Sequence, residues 1–263
     1  MKIYSRNFLR KKAQSVFFTL FNRFENNNNT DFQTNGEKRF LDEYFLSLNG
    51  TVTLFDIGAN VGEYSTILVD HSQRHKIDYH LYVFEPTKKC FSILQTKFSD
   101  NPSVHLNNCG VSDAAASAEV FYDIEGSGFA SLYQRDLSFV DVTMDKHETI
   151  SLIRLDEYIE QHQIRHIDFL KMDIEGHELF GIRGLGKFLS GNFITAIQFE
   201  YGGANLDSKT TLQELYRILE QAGFVLCKIM KYGIEVRPYS YRMENYQYAN
   251  FVALSKEFFP EYK

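Results

Sequence analysis

Three groups of residues have the types and spacing for chemistry. The first is "DIGANVGEYS", in which Asp56 precedes Gly58, Asn60 and Gly62, with Glu63 and Tyr64 directly after. Glycines let the backbone turn tightly and let a ligand approach main-chain amides without a Cβ in the way. Dinucleotides and adenosine-bearing sulfonium cofactors both use such a turn, so the neighbouring charge must separate them. A pyrophosphate favours bare amides at a helix N-terminus, and an adjacent carboxylate opposes it. Asp56 and Glu63 flank the turn, Asn60 stands where the pattern G-x-G-x-x-G has its middle glycine, and Glu63 where it has its last. These acids suit a ligand with an ammonium and a sulfonium, that is, S-adenosylmethionine.

The second group is Glu85 in "YVFEP" together with Ser112 and Asp113 in "GVSDA". An acid at a strand end accepts from ribose hydroxyls, and a short polar pair at the next strand end can reach an adenine edge. The third group, "KMDIEGHE", places Asp173, Glu175, His177 and Glu178 close together, and Glu200 follows in "IQFEYGG". His177 is a candidate general base because an imidazole titrates near neutrality, and Asp173 would orient it or bind substrate. Asp173 and Glu200 on adjacent strand ends could hold a magnesium ion, but no third ligand is evident; a metal-free site is favoured, with the divalent ion as the alternative. Lys171 is expected to point away from Asp173. The other histidines show no ligand spacing.

Elements that would position these groups follow from short apolar runs alternating with amphipathic stretches. Strands are expected at Thr51–Ile57, His80–Glu85, Val104–Val111, Ile167–Asp173, Ile194–Glu200, Phe224–Met230 and Tyr248–Leu254. Helices are expected at Glu63–His71, Lys88–Phe98, Leu155–His162, Glu178–Leu189 and Thr211–Ala222, the last with a capping box from Thr211 to Glu214 and Gly223 as its stop. Apolar strands separated by helices argue an α/β fold with a parallel sheet covered on both faces. No usable helix separates the last two strands, so they should pair antiparallel. Ala118–Asp141, with "DIEGSGFASLYQRD", reads as a lid-like insertion over the sheet edge.

"DIGANVGEYS", "YVFEPTKKCFSILQTKF", "GVSD", "SLIRLDEYI" and "IDFLKMDIEGHELFGIRGL" closely resemble the FkbM family of S-adenosylmethionine-dependent methyltransferases, in order from about Phe55 to Glu200. The resemblance implies a class I, Rossmann-like methyltransferase fold, with a mostly parallel seven-stranded sheet and an antiparallel last strand. It also implies O-methylation of a sugar, glycan or secondary-metabolite hydroxyl. By position, Asp56, Gly58, Asn60, Gly62, Glu63 and Tyr64 would surround the methionine part, Glu85 the ribose, and Ser112 and Asp113 the adenine. The chain departs from the family pattern in "DAAASAEV", where a glycine often precedes the short strand. A nicotinamide oxidoreductase and a methyltransferase-like interaction module at a membrane surface are the competing functions.

The bulk properties bound the rest. The chain of 263 residues, 44% hydrophobic, can bury one large core. Residues 1–50 read as an N-terminal helical cap and linker, and 51–263 as the methyltransferase domain. Of the 28 basic residues six lie in residues 1–24, which hold no acid, so the other 239 residues carry 22 bases against 34 acids, a net of −12. A body that acidic repels phosphate backbones and argues against a nucleic-acid partner. Three scattered cysteines suit a reducing, cytoplasmic compartment. The apolar run near Val16–Phe21 is too short to span a bilayer. Phe17, Leu20, Phe21 and Phe24 form a stripe expected to pack on the domain itself, with docking on an anionic membrane as the alternative. Glu25–Gly36 reads as a loop that lets this piece move. Oligomeric state is not legible.

Overall fold

The alternating apolar and amphipathic stretches resolve into one large sheet with helices on both faces in the computed structural model, which describes residues 7–259. Helices α1 (Phe8–Phe24) and α2 (Glu37–Phe45) precede β1 (Thr51–Ile57), α3 (Glu63–His75), β2 (Asp78–Phe84), α4 (Lys88–Lys97) and β3 (Val104–Asn107). A smaller unit follows with β4 (Gly110–Val111), β5 (Ala116–Tyr122) and β6 (Lys146–Ile153). The chain then returns through α5 (Leu155–Gln161), β7 (Ile167–Met172), α6 (Glu178–Arg183), β8 (Ile194–Tyr201), α7 (Gly203–Ser208), α8 (Leu212–Gln221), β9 (Phe224–Met230), β10 (Gly233–Val236) and β11 (Ala249–Ser255).

The strand order is β10-β9-β11-β8-β7-β1-β2-β3. Strands β3, β2, β1, β7 and β8 run parallel, and β11 inserts antiparallel between β8 and β9. The order reverses between β1 and β7, the crevice where open α/β sheets bind ligands. The sheet has eight strands, not the seven expected, because β10 turns back on β9 as a tight hairpin with Gly233 opposite Met230. The expected antiparallel pairing of the final strands is present between β9 and β11.

Each face of the sheet has its own core. On one, Phe55, Phe84, Leu170 and Phe199 pack with Ile159 of α5, Ile182 of α6 and Leu215 and Leu219 of α8. On the other, Leu54, Leu81 and Phe169 meet Phe40, Leu41 and Phe45 of α2, Leu68 of α3 and Leu94 of α4. Removing such a side chain from water contributes about 1.5–3 kcal/mol each, which fixes the strand ends that carry the site. At α8 the capping box forms as expected: Glu214 N–H donates to Thr211 Oγ1 (3.2 Å) and Thr211 N–H to Glu214 Oε2 (3.2 Å).

The run 104–111 is not one strand. It breaks after Asn107, and Gly110–Val111 leaves the large sheet to pair with β6 in a three-stranded sheet of order β4-β6-β5. Residues 123–145 connect the antiparallel arms β5 and β6.

The N-terminal segment departs from expectation twice. Helix α1 does not bury its stripe, since Asn22 is its one buried residue and Phe17, Leu20, Phe21 and Phe24 are exposed. The following loop is fastened rather than loose. Asn26 Nδ2 donates to the carbonyls of Asn35 (2.6 Å) and Ile229 (3.1 Å), and Lys228 Nζ donates to Asn27 Oδ1 (2.7 Å). Asn26 and Asn28 take φ of 53° and 57°, a left-handed conformation asparagine tolerates better than most side chains.

Candidate active site

A cavity of about 290 Å³ opens at the carboxyl ends of β1, β2 and β7 and is roofed by the small sheet and its connecting loop. Its floor holds Gly58, Asn60 and Glu85, one wall Asp173, Glu175 and His177, and its apolar sides include Phe84, Val111, Val120, Tyr122 and Leu152. Gly58 (φ +85°) brings two strand ends together: a Cβ there would stand 1.8 Å from the Asp173 carbonyl oxygen. No side chain fits at that contact.

Glu85 is buried and held by three donors. Asn60 N–H donates to Oε2 (2.9 Å), and Thr87 N–H (2.8 Å) and Oγ1 (2.5 Å) donate to Oε1. Burial raises its pKa, against the lowering effect of these bonds. Thr87 occupies Oε1 with two donors, so the lone pair left for a further donor is on Oε2.

Several expected cofactor residues take other positions. Asp56 is buried beneath the turn and accepts from Ser65 Oγ of α3 (2.5 Å); burial lifts its pKa to about 6, and it does not line the cavity. Gly62 seats α3 on α4, since a Cβ would lie 2.5 Å from Leu94 Cδ2. Glu63 is exposed at the start of α3, outside the cavity. Tyr64 turns to the opposite side, its hydroxyl donating to Gln198 Oε1 (2.7 Å). Ser112 and Asp113 are also outside the lining, but they reach it through His177.

His177 is bracketed, with Tyr133 Oη 2.8 Å from Nδ1 and Ser112 Oγ 2.9 Å from Nε2. Ser112 Oγ in turn donates to Asp113 Oδ1 (3.3 Å). The arrangement that satisfies every donor runs from the Tyr133 hydroxyl to Nδ1, from Nε2–H to Ser112, and from Ser112 to Asp113. The imidazole is neutral, because burial lowers its pKa to about 4 despite the nearby Asp113 charge. Its ring stacks on Phe180 at 4.6 Å between centroids.

Asp173 and Glu200 do converge, but on an ammonium. Lys171 Nζ lies 3.0 Å from Asp173 Oδ2 and 3.7 Å from Glu200 Oε1. The expectation that Lys171 turns away is corrected: residues two apart on a strand share a face. Burial alone would lower its pKa, yet Asp173, Glu200 and Glu37 outweigh burial and hold it protonated. Tyr248 Oη donates to Glu200 Oε1 (2.8 Å), and burial pushes Glu200 well above the usual carboxylate range. Glu200 supports Asp173 from behind and does not line the cavity. Among the described residues, no group of three or more His, Cys, Asp or Glu side chains is placed to hold a metal ion.

The loop between β7 and α6 takes its shape from Glu178, whose Oε1 accepts from the Ile174 and Gly176 amides (both 3.1 Å). Burial raises its pKa to about 7, which fits a carboxyl whose other oxygen, Oε2, has no hydrogen-bond partner among the described residues. The roof grips the same loop. Ser131 Oγ donates to the Glu175 carbonyl (2.8 Å), and Arg135 bridges Glu175 Oε2 (2.7 Å) and Asp207 Oδ2 (3.1 Å). Sequence reasoning missed Thr87, Tyr133, Arg135 and Lys171 as parts of the site. Lys171, two residues from Asp173, and Thr87, two residues from Glu85, carried a local signal.

The switch-point cavity, the glycine turn after β1, the acid after β2 and the antiparallel strand within the sheet define a class I methyltransferase fold. The chain belongs to the methyltransferase FkbM domain family, whose profile matches residues 56–226. Among solved structures, it is similar to a methyltransferase FkbM from Methylobacillus flagellatus KT, with 15% identity and a TM-score of 0.50 over 92% of this chain. The match spans 59% of that protein's length. It is also similar to fibrillarin from Aeropyrum pernix, solved with natively bound S-adenosyl-L-methionine: 14% identity, TM-score 0.40, 79% of this chain and 68% of that one. No curated protein matches the chain in sequence. No helix among the described residues is long and apolar enough to cross a membrane.

Proposed function

We propose that the protein binds S-adenosylmethionine in this cavity and transfers its methyl group to a hydroxyl of a sugar, glycan or secondary metabolite. The observation that carries the reading is the Glu85 carboxylate, fixed by Asn60 and Thr87 on the cavity floor across from Asp173. Apolar walls for a base, a buried carboxylate with an open acceptor position for a ribose hydroxyl and a turn close to bare backbone fit an adenosine-bearing cation. The scattered free cysteines suit a cytoplasmic enzyme.

Bound at this site, the cofactor supplies a methyl group already activated on sulfur. The chain must align an oxygen nucleophile and take its proton. Asp173 is suited to that step: one oxygen is held by Lys171, and the side chain, a third exposed, lines the cavity. Accepting a hydroxyl proton costs it no existing hydrogen bond. His177 could accept a proton only by giving up Tyr133 or Ser112, so its role is to hold the roof and the 173–178 loop in register. Glu200 keeps Lys171 in place.

The test is calorimetry of the purified chain with S-adenosylhomocysteine against NAD, followed by Asp173→Asn. Binding of S-adenosylhomocysteine alone, with Asp173→Asn retaining affinity but losing methyl transfer to a hydroxyl acceptor about 100-fold or more, is the expected outcome. Binding of NAD alone would restore the oxidoreductase alternative.

A further inference from the structure

Helix α1 leaves its apolar side unpacked on its own protein. At 3.6 residues per turn, Leu9, Val16, Phe17, Leu20, Phe21 and Phe24 fall on one side, and Lys11, Lys12, Thr19, Asn22 and Arg23 on the other. Its one buried residue is polar: Asn22, whose Oδ1 accepts from Asn27 Nδ2 (3.1 Å), while Lys11, Lys12, Thr19 and Arg23 are exposed. The apolar side faces outward, with Phe17 72% and Phe24 79% exposed. A contiguous apolar stripe left in water on a helix marks a surface awaiting a partner.

We infer that α1 lies on an anionic phospholipid surface, with its apolar stripe in the headgroup and acyl boundary. Charge selects this occupant. Residues 1–24 carry six basic side chains and no acid, so a second copy of α1 would bring like charges together, whereas anionic headgroups complement them. The rest of the chain, at −12, is itself repelled by such a surface, so attachment rests on the helix alone and holds the body away from the lipid. Arg10 falls within the stripe, between Phe17 and Phe21 on the wheel, and has a stem long enough to reach the headgroups. The anchored Asn26–Asn35 loop fixes where the helix leaves the domain.

The experiment is cosedimentation of the full chain with vesicles of mixed phosphatidylglycerol and phosphatidylcholine, and with vesicles of phosphatidylcholine alone. Two double variants accompany it, Phe17→Glu with Phe21→Glu, and Lys11→Glu with Lys12→Glu. These side chains are exposed, so melting temperature and S-adenosylhomocysteine binding should match the parent chain. Expected is binding to the anionic vesicles, weakened by salt and lowered at least about tenfold by either pair. Failure of the full chain to bind anionic vesicles overturns the inference, as does binding that both pairs leave unchanged. A dimer that the phenylalanine pair dissolves, with vesicle binding untouched, would assign the stripe to a second copy instead.

Discussion

Glutamine at position 85 would keep the shape of Glu85 but not its accepting capacity. Asn60 N–H and Thr87 N–H donate to different carboxylate oxygens, so an amide group must leave at least one of these donors facing another donor. Glu85→Gln should therefore weaken S-adenosylhomocysteine binding by about 1.5–3 kcal/mol, measured by calorimetry. An unchanged affinity would place the ribose elsewhere. Two other buried groups titrate in opposite senses. His177, with its pKa near 4, stays neutral while the unfolded chain takes up a proton near the ordinary value of 6.5. Stability is therefore lost as pH falls through that window, by about 3 kcal/mol in full. Asp56, raised from 3.8 to about 6, takes up its proton first in the folded state, so stability is gained as pH falls from 6 to 3.8. The two nearly cancel in the native chain, and single variants should separate them. Melting curves between pH 4 and 7 should show His177→Gln gaining relative stability toward acid and Asp56→Asn losing it. Parallel curves would show that neither group titrates as its surroundings dictate. Gly58, Asn60, Glu85, Asp173 and His177 were legible in the sequence because strand ends encode them locally. Asp56, Tyr64 and Ser112 were misplaced because the direction of a side chain at a strand end depends on packing with distant elements, α3 and β8 among them.

The small sheet and its connecting loop act on the site through few contacts. Arg135 supplies two of them, joining Glu175 in the 173–178 loop to Asp207 in α7, with its side chain 8% exposed. Arg135→Gln removes both ion pairs and leaves two acids facing each other's neighbourhood without a cation. Faster amide hydrogen exchange across 123–145 is expected, with the KM for the acceptor rising several-fold more than the Kd for the donor product. Exchange as slow as in the parent chain would mean that Ser131 and Tyr133 suffice to hold the roof. The insertion was visible in the sequence, through the glycines and aromatics of "DIEGSGFASLY", but its partner β6 was not. In β6 only Ile150 and Leu152 are buried, so the alternation is too short to stand out, and its pairing with β4 and β5 is a long-range fact. By contrast the α8 cap, a local contact between Thr211 and Glu214, could be read directly.

Stability of the assembled fold should depend sharply on where the N-terminus is cut. The sequence showed an apolar stripe and an asparagine run there, and nothing local told which of them was anchored. The structure reverses the expected roles, because the stripe is exposed and the run is fastened. Lys228, in β9 and 4% exposed, draws its partners from that run and the residue before it: Asn27 Oδ1 at 2.7 Å and Glu25 Oε2 at 3.3 Å. Glu25 also pairs with Arg237 at 2.6 Å. Burial already lowers the Lys228 pKa, and losing both partners would leave a buried ammonium with no compensating acceptor. That costs about 3–5 kcal/mol. Further along, Glu37 accepts from Gln198 Nε2 (2.5 Å) in β8, and α2 covers one core face together with α3 and α4. A chain beginning at Glu25 should thus melt with the full-length protein, since among the described residues it gives up only Asn22 from the interior. One beginning at Glu37 loses Asn26, Asn27 and Glu25 together. Its denaturant midpoint should fall by the equivalent of at least about 3 kcal/mol, with the unfolding slope nearly unchanged because little additional apolar surface is removed. Equal midpoints for the two truncations would show that the asparagine loop is not what holds the outer edge of the sheet.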